Sequence, residues 1–180
     1  MRLFRSAAIG LAMSCLGILP ASAEDKTPCG AELVCASKPE TVMAAMEKAG
    51  LKPKLTTDNG GDPMIESDEA AYHFDVYFYD CNEHRNCASL RFEVLFDKAP
   101  ENTTELANKW NVQSRLLTTY VRDDQKFVGS ADVSTVGGLN AANFGDVLDW
   151  WTSQLDALGV FFKKELNLPD APAKDAPAKK

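Results

Sequence analysis

Four of the five cysteines and both histidines carry most of the chemistry available to this chain, and their spacing limits what that chemistry can be. Cys29/Cys35 and Cys81/Cys87 form two local pairs, each with five residues between its members. His84 lies inside the second loop and Asp80 directly before it. Cys81, His84 and Cys87, with Asp80 as a fourth donor, offer the thiolate, imidazole and carboxylate groups that zinc accepts. A redox role would need a low-pKa thiolate, usually in a C-x-x-C spacing at a helix start, which a five-residue spacing in a strand loop does not supply. His73 and Asp75 share one strand face and could do acid/base work, but no serine elbow or third partner accompanies them. An exposed polar sheet face is the plainer reading. Gly60-Gly61 and Gly137-Gly138 lack the Lys-Ser/Thr of a phosphate loop. Asn102-Thr103-Thr104 fits a glycosylation acceptor, usable only by an organism with that machinery. No cluster amounts to a catalytic site, so no enzyme activity and no cofactor is expected.

The compartment decides between metal and disulfide. Arg2 and Arg5 precede an apolar run from Ala7 to Leu19; Pro20 breaks it, and Ala21-Ser22-Ala23 presents small residues. This is the layout of a secretory signal peptide over residues 1–23, cleaved after Ala23. The run is shorter than the roughly 18 residues a spanning helix needs. Ala12-Met13-Ser14 is a poor match to what precedes a lipidated cysteine at Cys15. A periplasmic or secreted location follows, with no membrane association once the signal is removed. There an even number of cysteines reads as disulfides. Three connectivities are possible, and closeness in sequence favours Cys29–Cys35 and Cys81–Cys87.

Removing 23 of the 180 residues leaves 157, enough for one domain with a single core. Losing both signal arginines takes the formal charge two further from −7, to −9. An acidic chain repels phosphate backbones, which disfavours nucleic acid as a partner.

Residues 24–36 read as an irregular lead segment tied by Cys29–Cys35. Ser37 then opens a helix through a capping box with Glu40, and Gly50 ends it. Lys54–Thr57 and Met64–Glu66 flank the turn formers Asp58 to Pro63 as a hairpin. Residues 71–80 and 88–97 alternate apolar and polar over eight positions each, a strand signal. If Cys81 faces Cys87, then Phe78 faces Leu90, Val76 faces Phe92 and Phe74 faces Val94. Both apolar rows then share a face, and Asp75 stands opposite Glu93 with Arg91 and His73 nearby. A second helix begins near Pro100 with Asn102 or Thr103 as cap, and residues 115–122 and 126–134 form another hairpin. Asn140 caps a long helix to about Leu166, with Phe144, Val147, Leu148, Trp151, Leu155, Leu158 and Phe162 as its inward stripe. Residues 167–180, with Asp-Ala-Pro-Ala-Lys twice, cannot build a core and read as a disordered tail. The fold class is α+β, a mostly antiparallel sheet with helices on one face.

Trp110 and Trp151 fall on inward stripes. Trp150 adjoins Trp151, so both cannot point into the core, and Trp150 lies at the stripe's edge or on the surface. Trp150 and, after it, Trp110 are the candidate partner contacts, since aromatics dominate interface energetics.

These segments together resemble the YbjN family. The resemblance is carried by Leu55-Thr56-Thr57-Asp58, Gly61-Asp62-Pro63-Met64-Ile65, Phe74 to Cys81, Leu106-Ala-Asn-Lys-Trp110-Asn111, and the double glycine before the last helix, over about residues 37–165. It marks residues 37–166 as a YbjN-like domain. It implies a secretion-chaperone-like fold, often dimeric, of bacterial origin, with a sensory or regulatory role and no catalytic residues. The signal peptide and paired cysteines set this chain apart from cytoplasmic members. The reading is an exported, non-enzymatic module that binds an unidentified polypeptide or itself, in the bacterial envelope. The alternative is an envelope enzyme or metal-binding protein using the Cys81-His84-Cys87 loop or His73/Asp75.

Overall fold

Large apolar residues at every second position make the middle of the chain a sheet with one greasy face. The computed structural model describes residues 28–69 and 72–169. Six strands, β1 (Lys54–Thr57), β2 (Pro63–Glu69), β3 (Tyr72–Tyr79), β4 (Ser89–Phe96), β5 (Thr118–Val121) and β6 (Phe127–Ser134), form one antiparallel sheet in the order β1-β2-β3-β4-β6-β5. The β3–β4 register is the expected one: Phe74 pairs with Val94, Val76 with Phe92 and Phe78 with Leu90. That register puts Phe74, Val76, Phe78, Leu90, Phe92 and Val94 on one buried face.

Three helices cover that face: α1 (Pro39–Lys48), α2 (Thr104–Gln113) and α3 (Ala141–Glu165). The α3 stripe matches the heptad-like spacing in the sequence. Phe144, Leu148, Trp151, Leu155 and Leu158 are buried, Val147 and Phe162 are half-buried, and Phe161 joins the core as well. The Trp151 ring lies 5.5 Å from both Phe74 and Phe92, and Phe162 lies 5.0 Å from Phe96. Asn140 caps α3 through its side chain, which accepts from the Asn143 N–H, and Lys163 and Lys164 suit the negative end of its dipole. Among the described residues no helix is long and apolar enough to cross a membrane.

Two local expectations are corrected. The Ser37–Glu40 capping box does not form: α1 starts at Pro39, with Lys38 at the cap and no side-chain cap bond. Proline at the first helical position has no N–H to satisfy, and the preceding backbone is drawn inward instead. The Thr41 hydroxyl accepts from the Cys35 N–H, and Ala36 N–H donates to Thr135 Oγ1. The helix end is as expected: Gly50, at φ +89°, donates to the Glu47 carbonyl while Leu51 N–H donates to that of Met46. The expected strand 115–122 is shortened to Thr118–Val121, because the Leu117 carbonyl is taken by Trp110 Nε1–H and the Ser114 hydroxyl. The described part of the lead segment packs onto the domain. Val34 bridges Leu139, and Val34, Cys35 and Ala36 are buried in the domain core. The signal-peptide reading of residues 1–23 and the 170–180 portion of the tail lie outside the described residues.

Candidate functional site

The Cys81–Cys87 loop is built for pairing sulfurs, not for gathering metal ligands. Cys81 and Cys87 Sγ lie at bonding distance of each other, as do Cys29 and Cys35, in the connectivity that sequence proximity favours. The loop between them closes through Asn82 and Arg85, which exchange backbone hydrogen bonds. His84 turns out of the loop, and its Nδ1 lies 2.8 Å from Asp62 Oδ1 on the β1–β2 turn. With both sulfurs engaged and the imidazole committed to Asp62, Cys81, His84 and Cys87 do not converge. Among the described residues no three His, Cys, Asp or Glu side chains come together to hold a metal.

His73 and Asp75 do meet, on the sheet face that the helices leave open. His73 Nε2 lies 3.5 Å from Asp75 Oδ1, and its Nδ1 lies 3.0 Å from Asp68. Asp75 accepts from the Tyr77 hydroxyl and sits between Glu66 and Glu93 across the strands. Partial burial pushes the Asp75 carboxyl up, with His73 and the Tyr77 hydroxyl pulling the other way. Burial likewise raises Glu93, and Tyr77 is pushed up to about 12 by burial and by Asp75. Arg91 clamps Asp132 with two bonds of 2.7 and 3.0 Å and lies over the Tyr79 ring. The face is thus a cross-strand lattice of compensated charges. Its carboxylates are raised chiefly by desolvation, with a smaller push from a neighbouring carboxylate, Glu66 on Asp75 and Asp75 on Glu93.

The two tryptophan candidates separate. Trp110 is 3% exposed, with its indole N–H bonded to Leu117, so it is removed as a partner contact: its ring serves the core against Phe161. Trp150 is 41% exposed, while its neighbour Trp151 is buried. Trp150 stands at the rim of a cavity of about 490 Å³ between the first half of α3 and the end of β6. Leu116, Ala131, Val133 and Val147 line it, with Trp151 and Phe92 beneath, and Asp132 and Asp146 are its charged residues. Its size and apolar lining suit a binding site. The sequence carried one trace of it, the Trp150-Trp151 doublet; the cavity itself depends on where β5 stops.

A sequence model of the YbjN family, described as "Putative bacterial sensory transduction regulator", matches residues 38–163. The chain belongs to the YbjN family. The crystal structure of YbjN from E. coli, described as "a putative transcription regulator", is similar in fold, with a TM-score of 0.53 at 14% identity, over 76% of this chain and 99% of that one. No curated protein matches this chain. The description of the YbjN family is that of a regulator, not of an enzyme.

Proposed function

We propose that this YbjN-family protein is an exported, non-enzymatic regulatory module of the bacterial envelope that acts by binding a polypeptide in the Trp150 cavity. The observation that carries this reading is Trp150 itself: a large aromatic held 41% exposed at the rim of an apolar cavity, beside a buried twin. Exposed aromatics over pockets are where binding energy concentrates. Export is supported by the Arg2/Arg5, Ala7–Leu19 and Ala21-Ser22-Ala23 pattern and by two cysteine pairs at bonding distance, which an oxidising compartment would keep as disulfides.

The test is a crosslinking pull-down with tagged mature protein from its native envelope, read by mass spectrometry. A recurrent polypeptide captured by the native protein, lost with Trp150→Ala and kept with Val160→Ala, is the expected result. Val160, 67% exposed on α3, is more open to solvent than Trp150 but lies outside the cavity. Capture unchanged by Trp150→Ala would overturn the site, and no capture at all would overturn the binding reading.

A further inference from the structure

The cavity lies beside a strand edge that has no neighbour. β5 pairs with β6 only as far as Thr118 opposite Ser130, and residues 131–134 of β6 continue beyond it. Their other side is fully engaged, with Ala131, Asp132, Val133 and Ser134 opposite Phe92, Arg91, Leu90 and Ser89 of β4. The Thr135 N–H donates to the Ala88 carbonyl, back toward β4. In a strand the backbone groups alternate sides, so Val133 and Ala131 also address β4. Asp132 and Ser134 then present their N–H and C=O groups to the vacant side. Among the described residues no backbone partner stands opposite them there. The vacancy exists because Leu117 is pulled toward α2 by Trp110 and Ser114.

We propose that this edge takes an extended polypeptide strand, added beside β6 residues 131–134, that sets a bulky apolar side chain into the Trp150 cavity and a basic side chain next to Asp146. The proposal rests on the partner-binding reading above and specifies its partner. Three observations fix the chemistry. Unpaired strand-edge groups call for a backbone, since an incoming strand matches them bond for bond. The cavity directly beneath that track is lined by Val133, Val147, Trp150 and Trp151, which accept an apolar anchor. The charged lining is Asp132 and Asp146 with no lysine or arginine. Arg91 already compensates Asp132, whereas Asp146 makes no ion pair among the described residues. Residues 141–162 of α3, which flank the track, contain three aspartates and no basic residue. A four-residue edge offers roughly 13 Å of ladder, which suits a short linear segment and not a whole sheet.

The experiment uses the mature oxidised protein and a blocked synthetic heptapeptide whose positions 2, 4 and 6, which share one face of a strand, are lysine, leucine and lysine, with threonine elsewhere. Binding is followed by Trp150 fluorescence and by the backbone amide signals of Asp132 and Ser134. The expected result is saturable binding that shifts both amides. Replacing the lysines by glutamate weakens it by about tenfold or more. N-methylation of the peptide at the positions facing β6 abolishes it, while methylation at the alternate positions leaves it nearly unchanged. Asp146→Asn weakens it in the same direction, as does Ser134→Pro, which deletes an edge N–H without removing a β4 bond. Because the peptide variants leave the protein untouched, a misfolded protein variant cannot decide the matter alone. Equal binding of both N-methylated series, or of the glutamate peptide, would overturn strand addition. So would a dodecanoate probe that moves Trp150 alone and displaces the peptide, or amide shifts that follow protein concentration and are not competed by peptide, which would make the occupant a second copy. If the envelope partner is still lost with Trp150→Ala while Ser134→Pro retains it, the site stands and only the strand mode fails.

Discussion

Asp75 carries a charge in a place that resists it. Half-buried on the open sheet face, opposite Glu93 and beside Glu66, its carboxyl is raised chiefly by desolvation. A raised folded-state pKa means the native protein holds that proton more tightly than the unfolded chain. The associated stability is fully present below the ordinary carboxylate range and is lost as pH rises through the raised value. Asp75→Asn keeps an acceptor for the Tyr77 hydroxyl and discards the charge. It should therefore raise Tm at pH 7 and give no advantage at about pH 3, measured by thermal unfolding at both. A lower Tm at pH 7 would mean that the contacts to His73 and Tyr77 outweigh the desolvation. Glu93→Gln should follow the same sign, since burial is also its main cause.

At the scale of elements, α3 packs against Tyr72 of β3 at Gly159. A Cβ there would run into the Tyr72 hydroxyl oxygen, while the ring carbon behind it is at ordinary contact distance, 3.6 Å. Gly159→Ala should cost roughly 1–3 kcal/mol by overpacking. In a Tyr72→Phe background the obstacle is gone, and the same substitution should stabilise by up to about 1 kcal/mol, the ordinary helix gain of alanine over glycine. A sign reversal in this double-mutant cycle, measured by urea unfolding, tests the packing directly. Such contacts show why the elements were legible in the sequence and the site was not. The β3–β4 register could be read because alternation and the Cys81/Cys87 pair gave the same answer, and the Thr103 and Asn140 caps because they are local. The sequence misplaces the α1 start because Pro39 and the inward pull on Cys35 and Ala36 override a box that Ser37 and Glu40 spell correctly. β5 reads too long in the sequence because Leu116-Leu117 continues an apolar strand pattern, and only the bonds from Trp110 and Ser114 to the Leu117 carbonyl show where pairing ends. The vacant edge of β6 follows from the Leu117 carbonyl being held by Trp110 and Ser114 at the end of α2.

For the whole molecule, the described helices cover one side of the sheet, and two cysteine pairs tie segments that border that core layer. Cys81 and Cys87 join β3 to β4, the two central strands, and Cys29–Cys35 holds the lead segment whose Val34 bridges Leu139 at the entrance to α3. Each short loop, closed as a disulfide, should stabilise by about 2 kcal/mol, so loss of both costs about 4 kcal/mol if they act independently. A domain this size is commonly stable by about 5–15 kcal/mol, so the two bonds are a large share of the margin. The mature protein should be about 4 Da lighter than its reduced form, one hydrogen lost per bridged sulfur. Reduction should lower its urea midpoint with little change in slope, because opening loops this short adds little exposed surface to the unfolded chain. Replacing Cys81 and Cys87 by serine should reproduce about half of that loss. Equal midpoints with and without reductant would show that the cysteines contribute packing alone. The stability argument for an oxidising compartment would then fall, while the fold and the β6 edge would stand.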